Sequence, residues 1–262
     1  MDPLSFTISA RGKNERIPIS DFLRSYFSSI PLEQIDSVFG FLEASTLYSG
    51  RPFLKRQLSE ADRVWLEESN IGLRIPFTNH FVTSEEYRAN TAFLEKYQGK
   101  GNSVICTNDQ LADWIRKDFP SYQVEASILK EIDTHEHIKR ALDLYDTVIL
   151  PMNLNYNLEF LSSIENKERI TLFGNAGCAL TCPRRICYEY ISETNKKLAS
   201  QNILHRNLTF LFRMGFNISW CSNQLHPRKL KGMVDFDLDQ LSSLGFRRFK
   251  MLRENKIRVT GH

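Results

Sequence analysis

Residues 103–150 read SVICTNDQLADWIRKDFPSYQVEASILKEIDTHEHIKRALDLYDTVIL. Three short β-rich runs, Ser103–Thr107, Gln123–Ala126 and Thr147–Leu150, alternate with two stretches of helical period. Leu111, Trp114, Ile115 and Phe119 fall on one helix face at i, i+3, i+4 and i+8. Ile138, Ala141, Leu142 and Tyr145 do the same at i, i+3, i+4 and i+7. These apolar stripes are core faces, because 3.6-residue periodicity places them on one side of each helix. Asp133 with Glu136, and Thr83 with Glu86, have capping-box spacing, in which a side-chain oxygen and a carboxylate satisfy amide hydrogens at a helix start. Strand, helix, strand in succession predicts a parallel sheet, since parallel neighbours need a crossover.

Working outward, further strand runs occur at Phe6–Ala10, Ser37–Leu42 and Gly72–Phe77 before this stretch, and at Arg169–Phe173 and Phe246–Met251 after it. Eight strands are the number that closes a TIM-like (β/α)8 barrel of α/β class. The 262 residues fit a single barrel domain, 1–262. Ser192–Leu244, punctuated by Pro227 and Gly232, is too long for a simple crossover and predicts an excursion before the last strand.

Composition excludes little beyond the extremes. Apolar residues make up 42% and charged residues 25%, with a formal net charge of +3, values ordinary for a globular protein. Met1–Arg16 has no apolar core, so no secretory signal is expected, and no apolar run approaches a membrane span. The expected compartment is the reducing cytoplasm, where five cysteines, an odd count, point to metal binding or catalysis and away from a disulfide framework. Cys106, alone in an apolar run, reads as buried packing. From His226 to His262 there are nine Lys or Arg against four Asp or Glu, with Arg247 and Arg248 between Phe246 and Phe249. RNA contact is one reading of that tail; a solvated helix face and the outer end of strand eight is the preferred one.

A barrel site lies at the carboxyl ends of the strands. The residues just past them are Glu43, Thr78, Asn79, Thr107, Asn108, Ser127, Asn153, Asn155, Asn175 and Cys178. Asn108 is read as a helix cap; Asn79 and Asn153 are candidates for substrate binding and Asn175 for catalysis. Asn175 opens the densest cluster, within F173-GNAGCALTCPRRICYEY-190, where Cys178, Cys182 and Cys187 precede the more distant Cys221. Pro183 suits a first helical turn, which places Cys182 near an N-cap beside Arg184 and Arg185. Free amide hydrogens and cations there favour a thiolate. Cys187 lies about one and a half turns further along. The intervals match no paired zinc ribbon or ferredoxin run, nor the C-x3-C-x2-C pattern of radical enzymes. They leave an iron–sulfur centre, structural zinc or unliganded thiols. No H-E-x-x-H or G-x-S-x-G motif supports hydrolysis, and His135 and His137, two apart on a helix, read as solvent-facing.

In five places the chain resembles the U-32 peptidase family, collagenase-like proteins that include oxygen-independent, iron–sulfur hydroxylases. They are Y48-SGRP, I75-PFTN, N153-LNYN, N175-AGCALTCPRR and L244-GFRRFKM. The resemblance implies a barrel with a 4Fe-4S cluster at its carboxyl end, onto which Cys178 and Cys182 carry over directly. Ala176 stands where relatives often have glutamate, and Cys187 where many have histidine. Cys221, ahead of L225-HPRKL, is the fourth ligand by need. Relatives that hydroxylate RNA bases or quinone precursors are thought to take oxygen from prephenate. That implies a carboxylated donor for Arg51, Arg184 or Arg185, since guanidinium groups fork onto carboxylates. The expected function is redox or hydroxylation chemistry on a small or nucleobase-like substrate, possible partners being RNA and a second subunit of the same family. The alternatives are a non-catalytic barrel subunit with a structural cluster or zinc, and a peptidase-like hydrolase.

Overall fold

The computed structural model describes residues 3–180, 187–200 and 233–252, apart from the side chains of Cys178 and Ser200. Eight parallel strands close into a barrel: β1 Ser5–Ser9, β2 Ile35–Phe39, β3 Gly72–Ile75, β4 Ser103–Cys106, β5 Gln123–Ala126, β6 Thr147–Ile149, β7 Ile170–Phe173 and, after a small two-stranded sheet of β8 Asn175–Ala176 and β9 Val234–Asp235, β10 Arg248–Met251. The last strand lies between β7 and β1, with Ser5 opposite Arg248 and Ser5 N–H donating to the Arg247 carbonyl at 2.8 Å. All eight predicted strands are present. Gln123–Ala126 matches at both ends and the others differ by up to three residues, most at Ser37–Leu42, where Phe41 and Leu42 belong to the buried loop beyond β2.

Around the barrel run α1 Ile19–Tyr26, α2 Glu60–Glu68, α3 Ser84–Ala89, α4 Thr91–Tyr97, α5 Asp109–Asp118, α6 His135–Leu144, α7 Leu158–Ser162, α8 Cys187–Ser200 and α9 Leu238–Ser243. The predicted stripes face inward: Leu111, Ile115 and Phe119 are buried, as are Ile138, Ala141, Leu142 and Tyr145. Each fully buried aliphatic side chain contributes about 1.5–3 kcal/mol. Thr83 and Glu86 form the expected reciprocal cap. At α6 the cap is Thr134, not Asp133, because Thr134 immediately precedes the helix and its hydroxyl accepts from His137 N–H at 3.2 Å. Gly72 is required at the start of β3, since a Cβ there would meet the Gly101 carbonyl oxygen at 2.1 Å.

The two faces of the strands are sorted in an unusual way. Ile8, Val38, Ile75, Val104, Val124, Val148, Leu172 and Phe249 point out and form the main core with the helices. The alternate positions Thr7, Ser37, Arg74, Ser103, Glu125, Thr147, Thr171 and Lys250 are also buried, so the lumen is lined largely by polar groups. Contacts between strands that are not neighbours demonstrate this: Arg74 on β3 bonds to Glu125 on β5 and to Thr7 on β1. Ser103 Oγ adds 2.6 Å to the same Glu125 oxygen, and Thr7 and Ser37 hydroxyls meet at 3.1 Å. Burial by itself would raise the Glu125 carboxyl, but the Arg74 charge with the Ser103 and Arg74 hydrogen bonds outweighs it and holds the group below the usual range. No described helix is long and apolar enough to cross a membrane.

The expected excursion before the last strand is seen at both ends. α8 begins it, and β9 returns to pair antiparallel with β8, Asn175 opposite Asp235. Cys221, Pro227 and Gly232 lie outside the described residues.

Candidate functional site

A cavity of about 160 Å³ opens at the carboxyl end of the barrel. Its position follows from its lining: Arg11 comes after β1, Arg51 after β2, Thr78 after β3, Ser127 after β5 and Leu252 after β10. Phe39, Ile105 and Phe173 supply apolar wall from within the strands, and Ser9, Ser49, Thr78 and Ser127 supply hydroxyls. The charged residues that line it are Arg11, Arg51 and Lys250. A cationic, partly aromatic cavity below the drug-sized range of about 300–1,000 Å³ suits a small anionic ligand.

Lys250 is 6% exposed, and its ammonium lies 4.0 Å from the Phe39 ring centroid and 5.9 Å from that of Phe173. Among the described residues no carboxylate forms an ion pair with it. Burial above all, then the neighbouring Arg74 and Arg51 charges, pushes its amine down to about 7, with Glu125 acting in the opposite sense. Sequence reasoning placed this residue on the outer end of strand eight or in an RNA-binding tail. The register corrects that: Lys250 pairs across to Thr7 and Phe173 inside the barrel, while Phe246 and Phe249 are fully buried and cannot stack on bases. Arg247 donates to the Ser242 and Phe246 carbonyls.

The wall of the cavity also carries Gly177 and Ala179, which flank Cys178, and Tyr188, which follows Cys187. Cys178 opens a single 3-10 turn directly after β8, and Cys187 is the first residue of α8, half-buried. The buried polar face of α8 holds it in place. Asn195 accepts from Phe53 N–H at 2.7 Å and donates to the Tyr48 and Arg51 carbonyls at 3.1 and 3.0 Å. Ser192 Oγ donates at 2.9 Å to Ser49 Oγ. Two of the quoted segments, Y48-SGRP and I75-PFTN, therefore form the cradle for the helix that starts at Cys187.

The remaining predicted residues divide clearly. Arg51 lines the cavity, stacked 4.7 Å over Phe41 and donating to Gln57 Oε1. Asn79 is fully buried: Nδ2 donates to the Thr46, Tyr48 and Ser192 carbonyls and Oδ1 accepts from Phe81 N–H, so it bridges the cradle to α8. Asn153 is exposed and outside the lining. Asn155 donates at 2.7 Å to the Phe173 carbonyl, and its buried Oδ1 has no protein partner among the described residues. Asn175 is fully buried and accepts from Leu252 N–H at 2.8 Å, fastening the end of β10. Asn108 caps α5 through Leu111 N–H at 2.9 Å, and Glu43 pairs with Lys96 on the surface. Cys106 is fully buried and its thiol is pushed up, first by that burial. Cys182, Arg184, Arg185 and Cys221 lie outside the described residues, as does the cap predicted at Cys182. Among the described residues no three His, Cys, Asp or Glu groups gather as a metal site.

His80 Nδ1 lies 3.1 Å from Ser192 Oγ, a pairing that invites comparison with a hydrolase. Ser192 is fully buried within α8 and its hydroxyl lies within hydrogen-bond distance of Ser49 Oγ and the Tyr188 carbonyl, so it has no path to a substrate carbonyl. Burial pushes the His80 imidazole down, against an opposing effect of Glu189. His135 and His137 are exposed, as expected.

No family model matches the sequence, and no curated protein matches it. The solved structure of the U32 peptidase Mk0906 is similar with a TM-score of 0.61, over 96% of this chain and 93% of that one, at 13% identity. At that identity the likeness is one of fold, and the chain shares the barrel architecture of that U32 peptidase.

Proposed function

We propose that the chain is an iron–sulfur enzyme whose barrel mouth holds a small carboxylated substrate or donor for redox or hydroxylation chemistry. The observation that carries this reading is the adjacency of the cavity to the cysteine segment: Gly177 and Ala179, on either side of Cys178, are part of its wall. Thiolates are the soft ligands that iron–sulfur clusters take, so the donor set fits the group in kind. Cys178 and Cys182 would hold it, joined by Cys187 and Cys221. When bound, the cluster supplies electrons one at a time. The chain's own residues do the rest. Arg51 brings a guanidinium to the cavity wall, the group that forks onto carboxylates, while Phe39, Phe41 and Phe173 keep water from the substrate's apolar part.

The test is anaerobic purification followed by iron and acid-labile sulfide analysis and visible absorption. Broad absorption near the 4Fe-4S region, lost in Cys178→Ala with the fold intact by circular dichroism, is the expected result. A colourless protein with one stoichiometric zinc and no sulfide would overturn it. That outcome would favour a non-catalytic scaffold, a reading with its own support: Ala176, where relatives often have glutamate, is fully buried in the two-stranded sheet and brings no acid to the mouth.

A further inference from the structure

We propose that Lys250 is the nucleophile of the mouth cavity and condenses reversibly with the carbonyl group of a small 2-oxo carboxylate. The proposal rests on the small-carboxylate reading of the cavity and is independent of the cluster.

Three observations on the molecule converge on it. The first is position: the side chain lines the cavity while being 6% exposed, so a ligand entering the mouth meets the amine in surroundings that exclude bulk water. The second is its neighbourhood. A buried ammonium kept for structure is bonded to acceptors, as Lys13 is: its Nζ donates to Asp62 Oδ2 at 2.6 Å and to the Gln57 carbonyl at 3.0 Å. Lys250 instead rests on the Phe39 ring at 4.0 Å, with no ion pair to a carboxylate among the described residues. An aromatic face steadies a cation without consuming the lone pair when the amine is neutral. The third is the company it keeps. Arg11 and Arg51 line the same cavity for a carboxylate, and Ser9 and Ser127 offer hydroxyls for proton transfer.

A cavity with two guanidinium groups and one amine distinguishes a 2-oxo acid from a simple carboxylate, because only the former has an electrophilic carbon beside the anion. The Nζ lone pair attacks that carbon and the C=O pair moves to oxygen, which takes a proton from nitrogen. The second nitrogen proton, relayed through a hydroxyl such as that of Ser9 or Ser127, lets this oxygen depart as water while the nitrogen lone pair forms the C=N bond, so the step needs no oxidant or reductant. With the amine held at about 7, roughly half of it is neutral at neutral pH, against about three parts in ten thousand for a free lysine.

The experiment uses the full chain, purified anaerobically, with pyruvate as probe and cyanoborohydride to deliver hydride to any imine carbon. Proteolysis and mass spectrometry then locate the carboxyethyl-lysine. Lys250 is expected to be labelled at least about tenfold faster than the median lysine. Labelling spread evenly over the surface lysines would overturn the proposal. Calorimetric titration with pyruvate separates the two readings. Binding without an adduct on Lys250 sinks the nucleophile and leaves the carboxylate pocket standing, whereas neither binding nor adduct sinks both. The trapping is done on the unaltered protein, so no variant has to fold for the result to count.

Discussion

Two lysines are buried among the described residues, in two regions that treat them differently. In the corner between β1 and α2, Lys13 is bonded to Asp62, which in turn caps α2 through Ser59 and accepts Ile19 N–H at 2.7 Å. In the barrel mouth, Lys250 is surrounded by aromatic rings and two guanidinium groups. The first arrangement ties three chain segments together and leaves the amine nothing further to do. The second keeps an amine desolvated at the edge of a cavity. Burial alone therefore says little about a lysine's role; the acceptors around it decide whether it is structure or chemistry.

The largest effect that tests this contrast is Asp62→Ala, which strands the Lys13 ammonium and removes the cap. Urea denaturation is expected to register a loss of about 3–5 kcal/mol. Next comes Asn195→Ala, which leaves Phe53 N–H and the Tyr48 and Arg51 carbonyls without that partner. It should cost about 2 kcal/mol and speed hydrogen exchange in α8. Unchanged exchange would mean that α8 is held by its apolar contacts and not by its polar face.

Lys250→Met should not destabilise the protein at neutral pH, because a stem of similar length still covers Phe39 and the cost of burying the ammonium is removed. If it costs as much as Asp62→Ala, the contrast fails. Its pH dependence is sharper. The folded amine titrates at about 7 and the ordinary value is 10.5. Between those values the unfolded chain therefore binds the extra proton, and stability rises with pH. The wild type should gain on the Lys250→Met variant as pH climbs from 7 towards 10.5, and lose that gain on return to 7. Equal slopes for the two proteins would contradict the assignment. Smallest of all is Glu136→Gln, which breaks the exposed pair with Arg140 and should shift the midpoint by no more than about 0.5 kcal/mol.

The strands were legible because period-two alternation survives in a barrel, and the helices because their apolar stripes have no competing explanation. What stayed hidden was which face of each strand turns inward. In R248-FKM the polar positions read as water-facing, yet a barrel buries both faces and here the polar one lines the lumen. Lys250 was missed for that reason and counted with a basic tail. The alternation that places it beside Thr7 and Phe173 was present all along. Asn79 reads as a substrate-binding candidate; its amide is bonded to backbone groups as far away in sequence as Ser192, a partnership that no local pattern reports. The cysteine segment was legible by residue type alone, and its position at the mouth follows from β7 ending at Phe173.

The order in which the barrel closes has a consequence for biosynthesis. β1 has two neighbours, β2 and β10, and the second of these is the last of the eight barrel strands in chain order. Until it arrives, β1 and β7 each present a bare edge, and such edges recruit other chains. The strand that shuts the barrel is also the one that delivers Lys250 to its mouth. A chain that lacks β10 is thus at once sticky and chemically mute, and docking that one strand removes both defects together.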